Sequence, residues 1–499
     1  MSATSSLFRP SLWRLLALFG LLLVALSVAP LVPASARAPH AQPQLLALAA
    51  AQPGAQVRVI VQKESREAAV EALVRAAGGQ IVQDLSIISG FSALLPAQQA
   101  VALSRAAGVR WISLDAPVAS TACAQCIDTA KLANAYVKAV RADQVWNSSS
   151  YLQGKGIGVA VIDSGVNPQQ DLYTTSGTNR LVAAVAFNSG YNQSTSDGYG
   201  HGNHVAGIIA GNGSRSGGAY IGIAPMANII SVKVSDDQGG ASASSVVKGL
   251  QWVLNHKSVY NIRVVNISLN STVIDSYNTN PINAATEILW FNKIVVVVSA
   301  GNAGSGKLYP PANDPFVITV GAADDKGTAS LSDDTIPSFS SYGTTSDGFA
   351  KPDLVAPGKN VIALMANQNS TLAVAHPGNV VQKNDGTYFR MSGTSMSAPV
   401  VAGAVALLLQ DEPGLTPDQV KFRLKATANK SWAAYSSAKA GAGYLDVAAA
   451  VASSTTASAN TNIAASRLLW SGSQPITWNS VNWNSVNWNS VNWNSDDWS

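Results

Sequence analysis

The chain has 499 residues, of which 47% are hydrophobic and 40 are glycine, so it can bury a large core and form more than one folded unit. Charged residues make up only 12% of the sequence, and the net charge is +4. Proteins that bind nucleic acids need clustered Lys and Arg, and the sequence has no such cluster. We therefore expect no nucleic acid among the partners of this protein.

Residues 1–36 have the pattern of a secretory signal peptide. Arg9 and Arg14 precede the apolar run LLALFGLLLVALSVA, and Ala34-Ser35-Ala36 provides a cleavage site of small residues. The alternative is an uncleaved membrane anchor, for which the apolar run is short. We therefore expect an exported, extracellular protein. The Pro- and Ala-rich residues 37–55 are interpreted as a linker.

Residues 56–118 alternate between strand and helix patterns. Strands are predicted at VRVIVQ, QIVQDLSII, GFSALLP and VRWISLD, and helices at SREAAVEALVRAAGG and PAQQAVALSRAAG. The order β-α-β-β-α-β is typical of a small ferredoxin-like α+β domain. This segment has no His, no Cys and no glycine-rich phosphate loop. We therefore expect no chemistry within it.

Residues 119–150 form a polar bridge that holds the two cysteines of the chain, Cys123 and Cys126. A zinc site would need further ligands nearby, and the sequence offers none. A local disulfide and a thioredoxin-like motif both remain open, although the strand and helix that normally flank the latter are missing. No function is assigned to this pair.

Residues 151–452 show a different pattern, in which near-continuous apolar strands alternate with glycine-rich loops and helices. The strands are predicted at IGVAVID, NIISVKV, IRVVNISL, KIVVVVSA and PFVITVGA, and the helices include HVAGIIAG and SSVVKGLQWVLNH. Strands that are apolar on both faces indicate burial on both faces. The sequence therefore predicts an α/β domain with a mostly parallel central sheet flanked by helices.

Residues 453–499 are predicted to be a low-complexity tail that ends in Trp-Asn-Ser repeats. Its tryptophans recur every five residues, a period that fits neither one face of a strand nor the stripe of a helix. One interpretation is an aromatic ladder that contacts a cell surface or a glycan. We favour the other interpretation, a mobile polar tail.

Polar residues with catalytic potential lie at the ends of the elements predicted for 151–452. Asp163 follows the strand VAVID and Asn302 follows IVVVVSA, at the carboxyl ends where parallel sheets place their ligand sites. His201 and His204 lie in GHGNHVAG, where no carboxylate or cysteine completes a known metal-ligand pattern. Ser395 lies at the head of the apolar helix in GTSMSAPVVAGAVALLL, where the helix dipole favours negative charge.

Together, the segments IDSGV, GHGNHVAG, SAGNAG and GTSMSAP, in this order, resemble the subtilisin-like serine proteases, or subtilases, over residues 141–452. The resemblance implies a subtilisin-like fold in which Asp163 orients the base, His201 is the base and Ser395 is the nucleophile. The Asn302 side-chain amide and the Ser395 backbone N–H would hold the oxyanion. His204 becomes a structural neighbour.

By the same resemblance, an extended substrate pairs with exposed strand edges and places one side chain in a pocket near the YPPAN loop. The residues implied are Gly239, Gly240, Ala241, Ser268, Leu269, Asn270, Ala300 and Gly301. Two positions depart from the family, which usually has threonine in place of Asn203 and glycine in place of Asn270. A side chain at position 270 could narrow the groove, so the sequence leaves the specificity open.

By the same resemblance, residues 56–118 are similar to the inhibitor propeptide of subtilases. We expect autoprocessing between about Val118 and Tyr151, within the polar bridge. The chemistry requires no cofactor. Structural calcium is common in the family and is left open here, since Asp171 matches one calcium ligand but the loop after His201 does not resemble the tightest calcium loop.

The sequence thus predicts a secreted serine endopeptidase that acts on proteins or peptides and is made as a zymogen. One alternative is a catalytically silent subtilase fold that binds a surface through its Trp repeats. Another keeps the nucleophile but acts as an exopeptidase or transpeptidase.

Overall fold

The computed structural model describes residues 38–67, 69–116, 123, 125–188 and 194–469. The chain forms two compact units, a first unit up to Ala122 and a second unit from Cys123 onward. The predicted signal peptide, the Trp-Asn-Ser repeats and part of the predicted processing segment lie outside the described residues.

Within residues 38–67 and 69–116, the first unit is a four-stranded antiparallel sheet with three helices. The strands are β1 (Gln56–Lys63), β2 (Gln80–Leu85), β3 (Gly90–Pro96) and β4 (Val109–Leu114), and the helices are α1 (Pro43–Ala51), α2 (Ala69–Ala76) and α3 (Ala97–Leu103). The sheet order is β2-β3-β1-β4. Alternate residues of β1 are buried, among them Val59 and Val61. The predicted β-α-β-β-α-β order is confirmed in this unit.

The helix α1 corrects the linker predicted for residues 37–55. Leu45 in this helix is completely buried, and α1 packs against α3 and β4. The run LLALAAA has a high helix propensity, and Pro43 occupies the first turn, where its missing N–H costs nothing. The flanking prolines and glycine suggested a linker, but the apolar run between them belongs to the core of the first unit.

The second unit is built on a seven-stranded sheet with the order β13-β10-β9-β8-β5-β7-β6, and all its strand pairs are parallel. Residues in β5, β9, β10 and β13 are buried throughout. Its strands and those of two small sheets are β5 (Gly158–Asp163), β6 (Leu181–Ala186), β7 (Asn228–Lys233), β8 (Ile262–Ile267), β9 (Val295–Ser299), β10 (Ile318–Ala323), β11 (Gly343–Thr344), β12 (Ala350–Lys351), β13 (Leu354–Pro357), β14 (Val361–Leu364), β15 (Val380–Lys383) and β16 (Gly386–Met391). The predicted parallel sheet is confirmed.

Helices cover this sheet and bring polar loops to the carboxyl ends of its strands. They are α4 (Ala135–Ala139), α5 (Asp143–Trp146), α6 (His201–Ala210), α7 (Ala243–His256), α8 (Pro281–Phe291), α9 (Thr371–Ala375), α10 (Thr394–Asp411), α11 (Pro417–Thr427), α12 (Ser437–Ala440) and α13 (Val447–Ala452). Helix α10 packs against α6 and against β8, β9 and β10. Among the described residues, α10 is the helix long and apolar enough to span a membrane, but 83% of it is buried as the core helix of this unit.

The folded part of the second unit extends beyond both predicted borders, 151 and 452. On the N-terminal side, Trp146 is completely buried and its Nε1 donates to the Ile223 carbonyl at 2.8 Å. On the C-terminal side, Asn460 Nδ2 donates to Asp418 Oδ1 at 2.7 Å, and Ser466 N donates to Glu287 Oε2 at 2.7 Å. Asn460 and Ser466 lie in the predicted tail, but both are buried, because carboxylates of the core accept their hydrogen bonds.

Cys123 and Cys126 form a disulfide at the start of the second unit. Of the two alternatives left open by the sequence, the structure contains the local disulfide. The Cys123 sulfur also lies 3.5 Å from the Tyr151 hydroxyl oxygen.

Candidate active site

Asp163 and His201 are brought together by β5 and α6. Asp163 is the last residue of β5, and His201 is the first residue of α6, directly after Gly200. The His201 Nδ1 lies 2.8 Å from Asp163 Oδ1 and 2.9 Å from Oδ2. Because a carboxylate can only accept, Nδ1–H donates, and Nε2 is left to take a proton. The side chains of His201 and Asp163 are only 14% and 5% exposed.

This contact requires a close approach of α6 to the loop after β5. A Cβ atom at position 202 would lie 2.1 Å from the Gly165 carbonyl oxygen. Only glycine fits at Gly202, since any other residue would push the first turn of α6, and His201 with it, away from Asp163.

The pKa of His201 results from opposing effects. Burial lowers it, but the charge of Asp163, its hydrogen bond and the weaker contribution of the Asp197 charge outweigh the burial. The pKa of His201 is therefore raised. A raised pKa makes the neutral imidazole a stronger base.

A buried acid behind this pair holds the start of α6. Asp197 is completely buried, and its carboxylate accepts from the backbone N–H groups of Gly200 at 2.7 Å and Asn203 at 2.8 Å. The Ser164 hydroxyl lies 2.8 Å from Asp197 Oδ1 and 3.2 Å from Asp163 Oδ1. Burial raises the pKa of Asp197, whereas the N–H donors of Asn203 and Gly200 act in the opposite direction. The Asp197 carboxylate thus binds two backbone N–H groups at the start of the helix that begins with His201.

Asn203, at the position where the resemblance expects threonine, links α6 to the loop after β5. Its Oδ1 accepts from Asn167 N at 2.8 Å, and its Nδ2 donates to the Asn167 carbonyl at 3.2 Å. The Asn167 side chain in turn accepts from Asp197 N at 2.8 Å. A carboxamide has separate donor and acceptor atoms, so it can bond to the N–H and the carbonyl of one residue at once. The single hydroxyl of a threonine is less suited to do both.

Ser395 is the second residue of α10, the helix that packs against α6. Its Oγ donates to the Ser268 carbonyl at 3.1 Å, and Ser268 Oγ donates to the Ser395 carbonyl at 3.0 Å. Within the described residues, no hydrogen bond joins the Ser395 hydroxyl to His201. Such bonds often form only when substrate is bound. The contact between Ser395 and His201 therefore stays a prediction.

Thr394 fixes the orientation of Asn302. Its N–H and Oγ1 donate to Asn302 Oδ1 at 2.9 and 3.1 Å, and Gly301 N donates to Thr394 Oγ1 at 3.0 Å. The amide oxygen of Asn302 is thereby engaged, and its Nδ2 makes no hydrogen bond to the described part of the chain. In the described part of the chain, this exposed amide and the backbone N–H of Ser395, which lies in the first turn of α10, are both available to bind an oxyanion.

The residues predicted to bind substrate lie in three loops at the carboxyl ends of β7, β8 and β9. They are the exposed Gly239, Gly240 and Ala241, the partly or fully buried Ser268, Leu269 and Asn270, and the buried Ala300 and Gly301. In a parallel sheet these loops and Asp163 lie at the same edge. The role of these residues in binding stays a prediction.

His204 has the structural position that the sequence analysis expected. It is completely buried, and its Nε2 lies 3.1 Å from the Val361 carbonyl oxygen and 3.0 Å from that of Phe389. Burial, with a smaller contribution from His201, lowers the pKa of His204 to about 3. His204 is thus a neutral link between α6 and the small sheet formed by β14 and β16.

The Asp171 carboxylate, for which the sequence left a structural calcium open, is surrounded by protein donors. Asp171 Oδ1 accepts from Ser214 Oγ and Arg215 N at 2.8 Å, and its Oδ2 accepts from the Tyr388 hydroxyl at 2.6 Å. Protein donors thus engage both carboxylate oxygens. No group of three or more His, Cys, Asp or Glu in the described ranges is placed to hold a metal ion.

Sequence reasoning missed Ser164, Thr394 and Asp197 as supports of the predicted site. A signal for Asp197 exists in SDGYGH, where an acid stands ahead of a helix start. Ser164 and Thr394 stand next to the predicted site residues Asp163 and Ser395, and the sequence gives no further signal for them. Their partners lie far away along the chain, so only the folded structure identifies them.

A comparison with protein families gives a match between residues 154–444 and the model of the Subtilase family, which comprises peptidases of the S8 type. The chain belongs to the subtilase family. The matched region contains every residue of the site described above. The family prediction is confirmed.

This subtilase is similar to several characterised proteins. It is 40% identical over 302 residues to serine protease AprX of Bacillus subtilis, covering 59% of this chain and 66% of AprX. It is 35% identical over 277 residues to subtilisin Savinase of Lederbergia lenta, covering 56% of this chain and 85% of Savinase. The chain thus spans slightly less than two thirds of AprX.

A solved structure supports the subtilisin-like fold. The crystal structure of fervidolysin from Fervidobacterium pennivorans, described as a keratinolytic enzyme related to subtilisin, aligns with a TM-score of 0.51 and 26% identity. The alignment covers 80% of this chain and 61% of fervidolysin.

Proposed function

We propose that this subtilase is a secreted serine endopeptidase that hydrolyses peptide bonds through Asp163, His201 and Ser395. The observation that carries the proposal is the contact of His201 Nδ1 with both oxygens of the Asp163 carboxylate. It fixes the imidazole with Nε2 free. His201 can then take the proton of the Ser395 hydroxyl, while Asp163 stabilises the imidazolium that forms.

In this mechanism the Ser395 Oγ attacks the carbonyl carbon of the scissile peptide bond. The carbonyl oxygen becomes an oxyanion, which accepts hydrogen bonds from Asn302 Nδ2 and the Ser395 N–H. His201 then gives its proton to the leaving amine, and an acyl-enzyme remains. Water, deprotonated by His201, attacks the acyl-enzyme, releases the carboxylic acid and restores the Ser395 hydroxyl.

The proposal includes production as a zymogen, with residues 56–118 as the inhibitor propeptide. The α+β architecture of the first unit and the lack of His and Cys in residues 56–118 support a non-catalytic role. Leu132, Tyr136 and Trp146 are buried in the second unit. Since a cut beyond Leu132 would detach core residues, we place self-cleavage between about Val118 and Leu132. Export follows from the signal-peptide pattern of residues 1–36.

The decisive experiment uses a phosphonofluoridate probe and a peptide library on the purified chain. We expect the probe to label Ser395 and the chain to cleave internal peptide bonds, whereas Ser395→Ala is neither labelled nor trimmed. Ser397→Ala is the matched control, because Ser397 lies in the same helix, is buried and makes no hydrogen bond in the described region. Trimming of purified Ser395→Ala would disprove self-processing, and a wild-type chain without labelling would disprove the endopeptidase.

The alternatives give different outcomes in the same experiment. A catalytically silent surface-binding protein would not react with the probe, and the intact contact between His201 and Asp163 argues against it. An exopeptidase would spare peptides with blocked ends. A transpeptidase would transfer the acyl group to an added amine in preference to water.

A further inference from the structure

Three loops next to Ser395 and Asn302 meet around Asn270. Ser271 N donates to the Pro310 carbonyl at 2.7 Å, and Ser341 N donates to the Gly301 carbonyl at 3.0 Å. Ser268, two residues before Asn270, accepts the Ser395 hydroxyl. The space beside the proposed scissile bond is therefore bordered by the loops that follow β8 and β9 and by the loop of Pro310.

The side chain of Asn270 joins two of these borders. Its Nδ2 donates to the Ser299 carbonyl at 3.0 Å, and its Oδ1 lies 3.4 Å from Ser299 Oγ, which donates to it. The same Oδ1 lies 3.6 Å from the position that a Cβ on Gly301 would occupy. The carboxamide thus extends from the loop after β8 to the loop after β9.

The carboxamide is held in this position. Ser299 is only 1% exposed. If Asn270 turned away, the buried Ser299 carbonyl and hydroxyl would lose this partner, which is unfavourable. A substrate side chain that needs this space must therefore compete with two hydrogen bonds.

We propose that Asn270 restricts this subtilase to substrates with a small residue, Gly, Ala or Ser, immediately before the scissile bond. The inference rests on the proposed endopeptidase function. The loops after β8 and β9 border the space beside Ser395 and Asn302, so we place the substrate side chain before the scissile bond between these loops. The Asn270 carboxamide extends across the same space, and it would therefore exclude Leu, Phe and Tyr by volume.

The test is a series of blocked tetrapeptide nitroanilides that differ only in the residue before the cleaved bond. For the wild type we expect kcat/KM for Ala to exceed that for Phe by about tenfold or more, as volume differences in a closed pocket give about 10- to 200-fold. Asn270→Gly should raise the ratio of kcat/KM for Phe to kcat/KM for Ala at least about tenfold. Asn270→Ala should lie between the two.

Asn384→Gly is the matched control, because Asn384 lies in the exposed turn between β15 and β16 at a φ of 50°, which glycine adopts readily. Its preference should equal that of the wild type. If the wild type reacts with the phosphonofluoridate probe but cleaves after Phe as well as after Ala, the inference is wrong and the proposed function stands. The same holds if both Asn270 variants keep the preference of the wild type. A wild type that neither reacts with the probe nor cleaves any peptide overturns the proposed function, and the inference with it.

Discussion

The two units bury their polar groups very differently. In the described part of the first unit, Lys63 is the one charged residue that is buried, and it pairs with Glu71 at 2.5 Å. The second unit buries many carboxylates, among them Asp163, Asp197 and Glu287. In a four-stranded antiparallel sheet, few buried positions lie close to several hydrogen-bond donors that could stabilise a carboxylate. The parallel sheet of the second unit places strand ends and helix starts side by side, and their N–H groups stabilise buried acids.

Among the predictions, Ser395→Ala has the largest expected effect, and it tests the chemistry of the second unit. We expect kcat to fall by on the order of 10⁶-fold, the loss known for the matching serine of subtilisin, because no other hydroxyl takes the position of the nucleophile. Peptide hydrolysis after active-site titration measures it. The folding of the first unit should not change, and residual turnover within about a hundredfold of the wild type would contradict the assignment.

Asn302→Ala should have the next largest effect. Removing one oxyanion donor lowers kcat by about 10²- to 10³-fold, again as known for a subtilisin, while KM changes little. Steady-state kinetics on one peptide separates the two parameters. An effect confined to KM would show that Asn302 binds substrate but does not hold the oxyanion.

Leu95→Ala tests the first unit, where we expect an effect on stability without an effect on chemistry. Leu95 is completely buried, so its truncation should lower the free energy of unfolding of this unit by about 2–5 kcal/mol. Hydrogen exchange of the β3 amides, measured in Ser395→Ala to prevent self-cleavage, reports the change. Ile87→Ala is the control, since Ile87 is 94% exposed and its loss should stay within about 0.5 kcal/mol.

Asp197→Asn should have the smallest effect on activity, and it tests what one buried carboxylate of the second unit does to the pKa of His201. His201 must be neutral to take a proton, so activity rises as the pH passes the pKa of His201. The charges of Asp163 and, more weakly, Asp197 keep this pKa high, against the effect of burial. Removing one charge should therefore move the acidic limb of the profile to lower pH. The amide keeps only one acceptor oxygen, so one of the two backbone hydrogen bonds at the start of α6 is lost. This loss should also reduce kcat by about tenfold, because small displacements of a base are costly.

Several groups face His201 in that experiment. Asp163 and Asp197 carry negative charge, Tyr199 lies with its ring 6.4 Å away, and the neutral His204 follows on α6. Asp171→Asn is the control, because Asp171 is equally buried, whereas the charges that raise the pKa of His201 are those of Asp163 and Asp197. If both variants shift the pH profile equally, Asp197 has no special influence on His201.

The sequence determined the architecture of both units because hydrophobic periodicity reports which faces are buried. Alternating residues in β1 indicated a sheet with one buried face, and continuous apolar runs such as VAVID indicated a sheet buried on both. It also identified Asp163, His201, Asn302 and Ser395 as candidates, because each lies in a short motif whose order along the chain is specific. The Asp163–His201 pair was predicted from the family resemblance that four motifs carry together.

Only the tertiary structure decided what surrounds these candidates. It placed Leu45 of the predicted linker and Ser466 of the predicted tail in the two folded units, since burial depends on partners that are distant along the chain. It also showed that the Asn270 carboxamide reaches Ser299, where the sequence could say only that a side chain replaces a glycine. Local patterns record which residues turn inward, whereas the partner that each polar group meets there is set by the packing of the whole chain.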